Sequence, residues 1–100
     1  MNSPLADDTH PERTALILFV TGEAPRSQRA HLNLAAALEA AGIGDTPARE
    51  VDLLRDPQQA ITFGIFATPA LMHIDASGER RVLYGDLSDE HRLNDFLSAL

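Results

Sequence analysis

The sequence predicts an α/β fold in the order βαβαββα, a mixed four-stranded sheet of order 2-1-3-4 with three helices. Three observations carry this expectation. Thr14 to Thr21 (TALILFVT) is a short, branched and aromatic run, the pattern of a strand buried on both faces. A stripe of apolar residues at helical spacing follows it. Further on, Asp75-Ala76-Ser77-Gly78 supplies turn chemistry between two more strand-like runs.

The elements follow in order. Gly22 to Pro25 break the first strand, and Pro25 suits the first position of a helix, where a missing N–H costs nothing. Arg26 to Ala41 then repeats Ala30, Leu34, Leu38 and Ala41 at three- or four-residue intervals, until Gly42 and Gly44 stop it. Ala48 to Leu54 reads as the second strand, with Val51 and Leu53 on one face. Asp56 can cap a short second helix, with Pro57 at its first position and Gln59 at the capping-box position; it should end near Gly64. Pro69 to Ile74 is the third strand, and Arg80 to Tyr84 returns antiparallel to it. Ser88 is expected to cap a last helix striped by Leu93, Phe96, Leu97 and Leu100. Two strand-helix-strand units imply parallel pairing through right-handed crossovers, with the hairpin as an antiparallel edge.

Bulk properties narrow the function. One hundred residues, 44% of them hydrophobic, suffice for one core. The polar residues 1–13 read as a flexible segment, leaving a domain over 14–100. No apolar run approaches the ~18 residues of a membrane span, and no signal-peptide pattern is present, so a cytoplasmic protein without a membrane partner is expected. A net charge of −7 argues against nucleic-acid binding, which needs clustered cations. All cations are arginine, a side chain suited to bidentate contacts with carboxylates. The absence of cysteine excludes disulfides, thiolate metal sites and thiol catalysis.

Ala67-Thr68-Pro69 joins the second helix to the third strand, and resembles the proline loop of thioredoxin-like folds, where the peptide is usually cis and faces the active site. Those folds place a cysteine motif just after the first strand. Here that place holds Ala24-Pro25-Arg26-Ser27, and disulfide exchange needs sulfur attacking sulfur. Ser27, without a neighbouring histidine base, is expected to cap or lie at the surface rather than act as a nucleophile. His10, His31, His73 and His91 share no metal-ligand spacing, so neither a metal nor another cofactor is expected. Of the two aromatics before the proline loop, Phe66 is expected in the core. Phe63 is a candidate half-exposed anchor for a partner.

The chain also resembles the KaiB family of small clock proteins. The resemblance runs from about Ala15 to Leu100. It is carried by Leu18-Phe19-Val20-Thr21-Gly22 with Pro25 and Ser27-Gln28-Arg29-Ala30, by Val51-Asp52-Leu53-Leu54-Arg55-Asp56-Pro57-Gln58, by Ala67-Thr68-Pro69-Ala70-Leu71, and by Gly85-Asp86-Leu87-Ser88-Asp89. It implies a non-enzymatic module that docks on the ATPase KaiC, in a clock or stress-signalling system. Alternatives are a stand-alone homologue binding a SasA-like histidine kinase or another regulator, and a cysteine-less thioredoxin-like binder of a small ligand. It implies as well a second, ground-state fold, βαββααβ, which forms homo-oligomers. Gly85, through permissive backbone angles, and Asp89, in the first helical turn, would help set the balance between the two. The expected partner surface comprises Arg26, Arg29, Arg55, Phe63, Thr68 and Pro69. Two departures stand out: no lysine in the short helix, where Thr62-Phe63-Gly64 stand, and Asp75-Ala76-Ser77-Gly78 in place of a proline run. A good hairpin turn there favours the thioredoxin-like state.

Overall fold

The computed structural model describes residues 15–100, so the segment 1–13 and Thr14 lie outside the described residues. The elements are β1 (Ala15–Val20), α1 (Pro25–Ala40), β2 (Arg49–Asp52), α2 (Gln58–Phe63), β3 (Ala70–Ile74), β4 (Arg80–Tyr84) and α3 (Glu90–Leu97). They form one four-stranded sheet in the order β2-β1-β3-β4.

β1 lies at the centre because both of its faces are apolar. Leu16, Leu18 and Val20 pack beneath α1 and α3 with Leu34, Leu38, Leu93 and Phe96. Ile17 and Phe19 pack on the opposite side with Val51, Ile65, Ala70 and Met72, and Leu53 joins them. The core is therefore two layers divided by the sheet.

β1 and β2 run parallel, with Phe19 beside Val51, as a helical crossover requires. β3 instead runs antiparallel to β1, with Leu18 beside Leu71. This corrects the expectation of two parallel crossovers. Six residues of α2 span about 9 Å at ~1.5 Å per residue, less than the length of a five-residue strand. The chain enters β3 from the end of the sheet where β2 finished, and β3 therefore runs antiparallel to β1.

The ends of α1 follow local chemistry. Pro25 occupies its first turn. At its other end Gly42 turns left-handed (φ 76°), and the Ile43 N–H donates to the Leu38 carbonyl at 2.9 Å while Ile43 packs onto the core. Ala41 falls at the C-cap and is exposed, so the buried stripe is Ser27, Ala30, Leu34 and Leu38. At α2, Asp56 does not form the expected box. Its carboxylate accepts from the Gln59 side chain at 3.2 Å, while Gly64 closes the helix at φ 70°. In α3 the cap is Asp89, whose carboxylate accepts from the Arg92 N–H at 3.1 Å, not Ser88. Leu93, Phe96 and Leu97 are buried, whereas Leu100 lies beyond the helix and is 40% exposed.

Candidate functional site

Four connections converge where β1, β2 and β4 end and β3 begins. Backbone and short side chains bind them together. The Thr21 N–H donates to the Ser27 hydroxyl at 3.1 Å, which fastens the end of β1 to the first turn of α1. Ser27 is therefore buried (3% exposed), neither a cap nor a surface residue. The Thr21 and Thr68 hydroxyls share a hydrogen bond, and the Thr68–Pro69 peptide is cis. The Gly85 N–H donates to the Pro69 carbonyl at 2.9 Å. Gly85 holds φ 116°, a conformation that favours glycine, so the next loop leaves β4 in a direction other residues resist.

Two aspartates organise this end, and sequence reasoning did not select them as site residues. Asp52 Oδ1 accepts from the N–H groups of Gly22 and Leu54, each at 2.9 Å. Those bonds, Gly22 first, hold its carboxyl below the ordinary value of 3.8. Asp86 accepts from the Ser88 N–H at 3.1 Å and from Arg29 Nε at 3.2 Å, while its carbonyl accepts from Asn33 at 2.9 Å. Its carboxyl is lowered as well, chiefly by the Ser88 side chain and then by Arg29. A third aspartate, Asp75, is lowered by the Ser77 hydroxyl and the Glu79 N–H in the β3–β4 turn. All three accept from the N–H two residues on, the Asx-turn geometry, and that was the available sequence signal.

A pH dependence follows. A carboxyl whose folded pKa is depressed stabilises the fold above its unfolded pKa, and that contribution is lost as pH falls through the folded value. Thermal melts should therefore show a drop in midpoint below about pH 4, where ordinary carboxylates protonate. In Asp86→Asn that acid limb should be shallower. An unchanged limb would remove Asp86 from the linkage.

The expected partner residues are distributed around this end. Arg26 lines a recess of about 140 Å³ with Gly85, Asp86, Asp89 and Arg92. Arg29 is drawn onto Asp86 beside it. Arg55 lies in a separate groove of about 530 Å³, with Gly22, Glu23, Asp52 and Asp56. Thr68 is half-buried between them, and Pro69 is fully buried, so the proline shapes the surface without contributing to it. Phe63 is half-buried against Phe19, ring centroids 5.4 Å apart, with the Arg80 guanidinium 5.4 Å over its ring. Phe66 reverses the sequence expectation. It is 84% exposed, with its ring tilted 33° against that of Tyr84, centroids 4.7 Å apart. Leu54, beside the Gly22 turn, is also exposed.

Chemically, this end offers backbone, carboxylate and guanidinium groups suited to binding. Ala24 and Ser27 occupy the places of a thioredoxin cysteine pair, and the Ser27 hydroxyl is engaged by backbone. Among the described residues, no three His, Asp or Glu side chains are placed to hold a metal, and no helix is long and apolar enough to cross a membrane.

Comparison with known proteins agrees with this geometry. Thioredoxin from Fasciola hepatica superposes with a TM-score of 0.73 over 95% of this chain and 86% of its own, at 16% identity. Mitochondrial thioredoxin 3 of Saccharomyces cerevisiae does so with a TM-score of 0.71 over 96% and 87%, at 14% identity. Such identities show a shared thioredoxin-like fold and nothing more. The circadian clock oscillator protein KaiB of Synechococcus sp. (strain RCC307) is 38% identical over 83% of this chain and 76% of its own length. That of Prochlorococcus marinus (strain MIT 9211) is 35% identical over 90% of both. Residues 17–99 match the KaiB domain. With a match that spans nearly every described residue, and a thioredoxin-like sheet stripped of cysteine, the chain belongs to the KaiB family.

Proposed function

We propose that this protein is a non-enzymatic, cytoplasmic binding module that docks on a KaiC-type ATPase in a clock or stress-signalling system. One observation carries this reading: the loops that present chemistry in a thioredoxin-like fold are locked in place, while the reactive positions hold Ala24 and Ser27. A scaffold kept rigid without its reaction fits recognition. Arg26 and Arg55 are exposed on either side of the proline loop, where their guanidinium groups can meet carboxylates of the partner.

The docking state is the thioredoxin-like one. The Asp75 carboxylate accepts from the Ser77 N–H, the Ser77 hydroxyl and the Glu79 N–H, at 2.9, 2.6 and 3.0 Å, which ties the β3–β4 hairpin at its turn. Gly85 and Asp89 favour the same state, one through its φ and the other through its cap. Solution NMR is expected to show Leu71 to Ile74 extended. A helix there would overturn this assignment.

Arg55→Glu tests the surface. Titrated against the KaiC-type ATPase of the same genome, the variant should bind at least about tenfold more weakly, as expected when a charge contact becomes a repulsion. Its melting curve should barely move, because exposed surface changes cost within about 0.5 kcal/mol. Equal binding would remove Arg55 from the interface. Capture of a SasA-like kinase in place of the ATPase would reassign the partner.

A further inference from the structure

We propose that the recess between the start of α1 and the start of α3 is a carboxylate subsite, in which Arg26 and Arg92 together hold one Asp or Glu side chain of the docking partner. Resting on the docking reading above, it adds Arg92 to that surface and names the group the surface meets.

Arg26 lines the recess from the first turn of α1, and Arg92 lines it from the first turn of α3. Two carboxylates line it as well, yet neither neutralises them. Asp86 is taken by Arg29 Nε at 3.2 Å and by the Ser88 N–H at 3.1 Å. Asp89 caps α3, accepting the backbone N–H of Arg92 at 3.1 Å. Among the described residues, the ion pairs are Arg29–Asp86 and His31–Glu50, so the Arg26 and Arg92 guanidinium groups have no carboxylate of their own. The groove around Arg49 and Arg55 is the reverse case, since Glu23, Glu50, Asp52 and Asp56 outnumber its two cations. In a chain of net charge −7, the recess keeps positive charge in excess.

Both arginines stand where they do not help the fold. The N-terminus of a helix is the positive end of its dipole, so a cation in the first turn lowers stability. α1 has no local relief, because Ala24 offers no side-chain cap and the first turn holds no acidic residue. An anion in the recess would meet two guanidinium forks and this positive helix end together. Arg29 has a different part. It is turned onto Asp86, and Asn33 donates to the Asp86 carbonyl at 2.9 Å, so α1 holds in place the loop that walls the recess.

Size and charge select the anion. The recess of about 140 Å³ is well below the roughly 300–1,000 Å³ of small-molecule pockets, so it takes the head of a side chain rather than a nucleotide. Asp86 and Asp89 beside it repel a dianion more than a monoanion. A carboxylate carries a single charge and two oxygens, one for each guanidinium.

The test uses N-acetylglutamic acid amide, a monocarboxylate, added to the full chain at constant ionic strength and followed by NMR of the arginine Nε–H groups. The Arg26 and Arg92 signals should move together and saturate in the millimolar range, while Arg49 stays still. Against the KaiC-type ATPase of the same genome, Arg92→Gln should bind at least about tenfold more weakly, the scale of one hydrogen bond to a charged group. It should nonetheless melt no lower than the unaltered protein, having lost a cation from a helix N-terminus. Equal movement of Arg49, still signals at Arg26 and Arg92, or a tighter response to inorganic phosphate than to the carboxylate would overturn the proposal. So would undiminished ATPase binding by Arg92→Gln, or a lower melting midpoint, which would give Arg92 a role in the fold instead. A saturating carboxylate response in a protein that does not bind the ATPase at all would support the anion site and overturn the docking reading alone.

Discussion

Phe19→Ala should destabilise this protein by about 3–5 kcal/mol, the cost of deleting a buried aromatic ring and leaving a cavity. Phe19 is fully buried near the end of β1, beside Val51 on one strand and Ala70 on the other, with Phe63 against its ring. A small domain is stable by only about 5–15 kcal/mol, so the variant would keep a fraction of that margin. The consequences extend beyond the cavity. Phe63 is the residue of α2 that packs on this cluster, and no residue of α2 is fully buried. Without the Phe19 ring, α2 loses its seat, and Arg80 loses the aromatic face beneath it. Chemical denaturation measures the loss directly. Phe66→Ala is the control, because an exposed side chain should cost within about 0.5 kcal/mol. Equal losses for the two variants would mean that the aromatics of the 63–66 segment are packed the other way round.

That contrast also marks where the sequence stopped being legible. Elements with long periodic patterns were readable: α1 between Pro25 and Gly42, β1 from its apolar run, the hairpin from Asp75 to Gly78. So was the cysteine-less end of the sheet, because the missing residue type excludes the chemistry wherever the chain folds. Phe63 and Phe66 were not readable, because six helical residues followed by a loop have too little periodicity to assign faces. The direction of β3 depends on the end of the sheet from which the chain enters it, which no residue pattern states. Ser88 and Asp89 are both competent caps, and the choice was made by Leu87 turning left-handed at φ 65°, which delays the helix start by one residue. Asp52 and Asp86 looked like scattered carboxylates in sequence. Their importance comes from Gly22 and Arg29, contributed by other parts of the chain. Of the expected partner residues, Arg26 and Arg55 are best placed to be met from solvent, while Pro69 acts through the shape it gives the loop.

His73→Leu should have the opposite sign to Phe19→Ala, stabilising the thioredoxin-like state by about 1–3 kcal/mol. His73 is 3% exposed on β3, between Leu16 of β1 and Arg81 of β4, and its Nε2 has no hydrogen-bond partner. A buried polar atom left unpaired carries its whole desolvation cost, about 1–3 kcal/mol, and an apolar group of similar size removes that cost. Leucine suits the site because the surrounding face is already Leu16, Leu71 and Leu83. The cost also bears on the proposed choice between folds. It is charged only to a state that buries His73 in this strand, so a state in which Leu71 to Ile74 are placed otherwise is not burdened by it. Removing the histidine should therefore raise the denaturation midpoint and deepen the thioredoxin-like state together. If a second conformer gives its own NMR resonances, their intensity should fall in His73→Leu by about tenfold for each ~1.4 kcal/mol gained. A lower midpoint in the variant would mean that the imidazole has a partner worth more than the burial it costs, and the strand would then hold a polar contact essential to this fold.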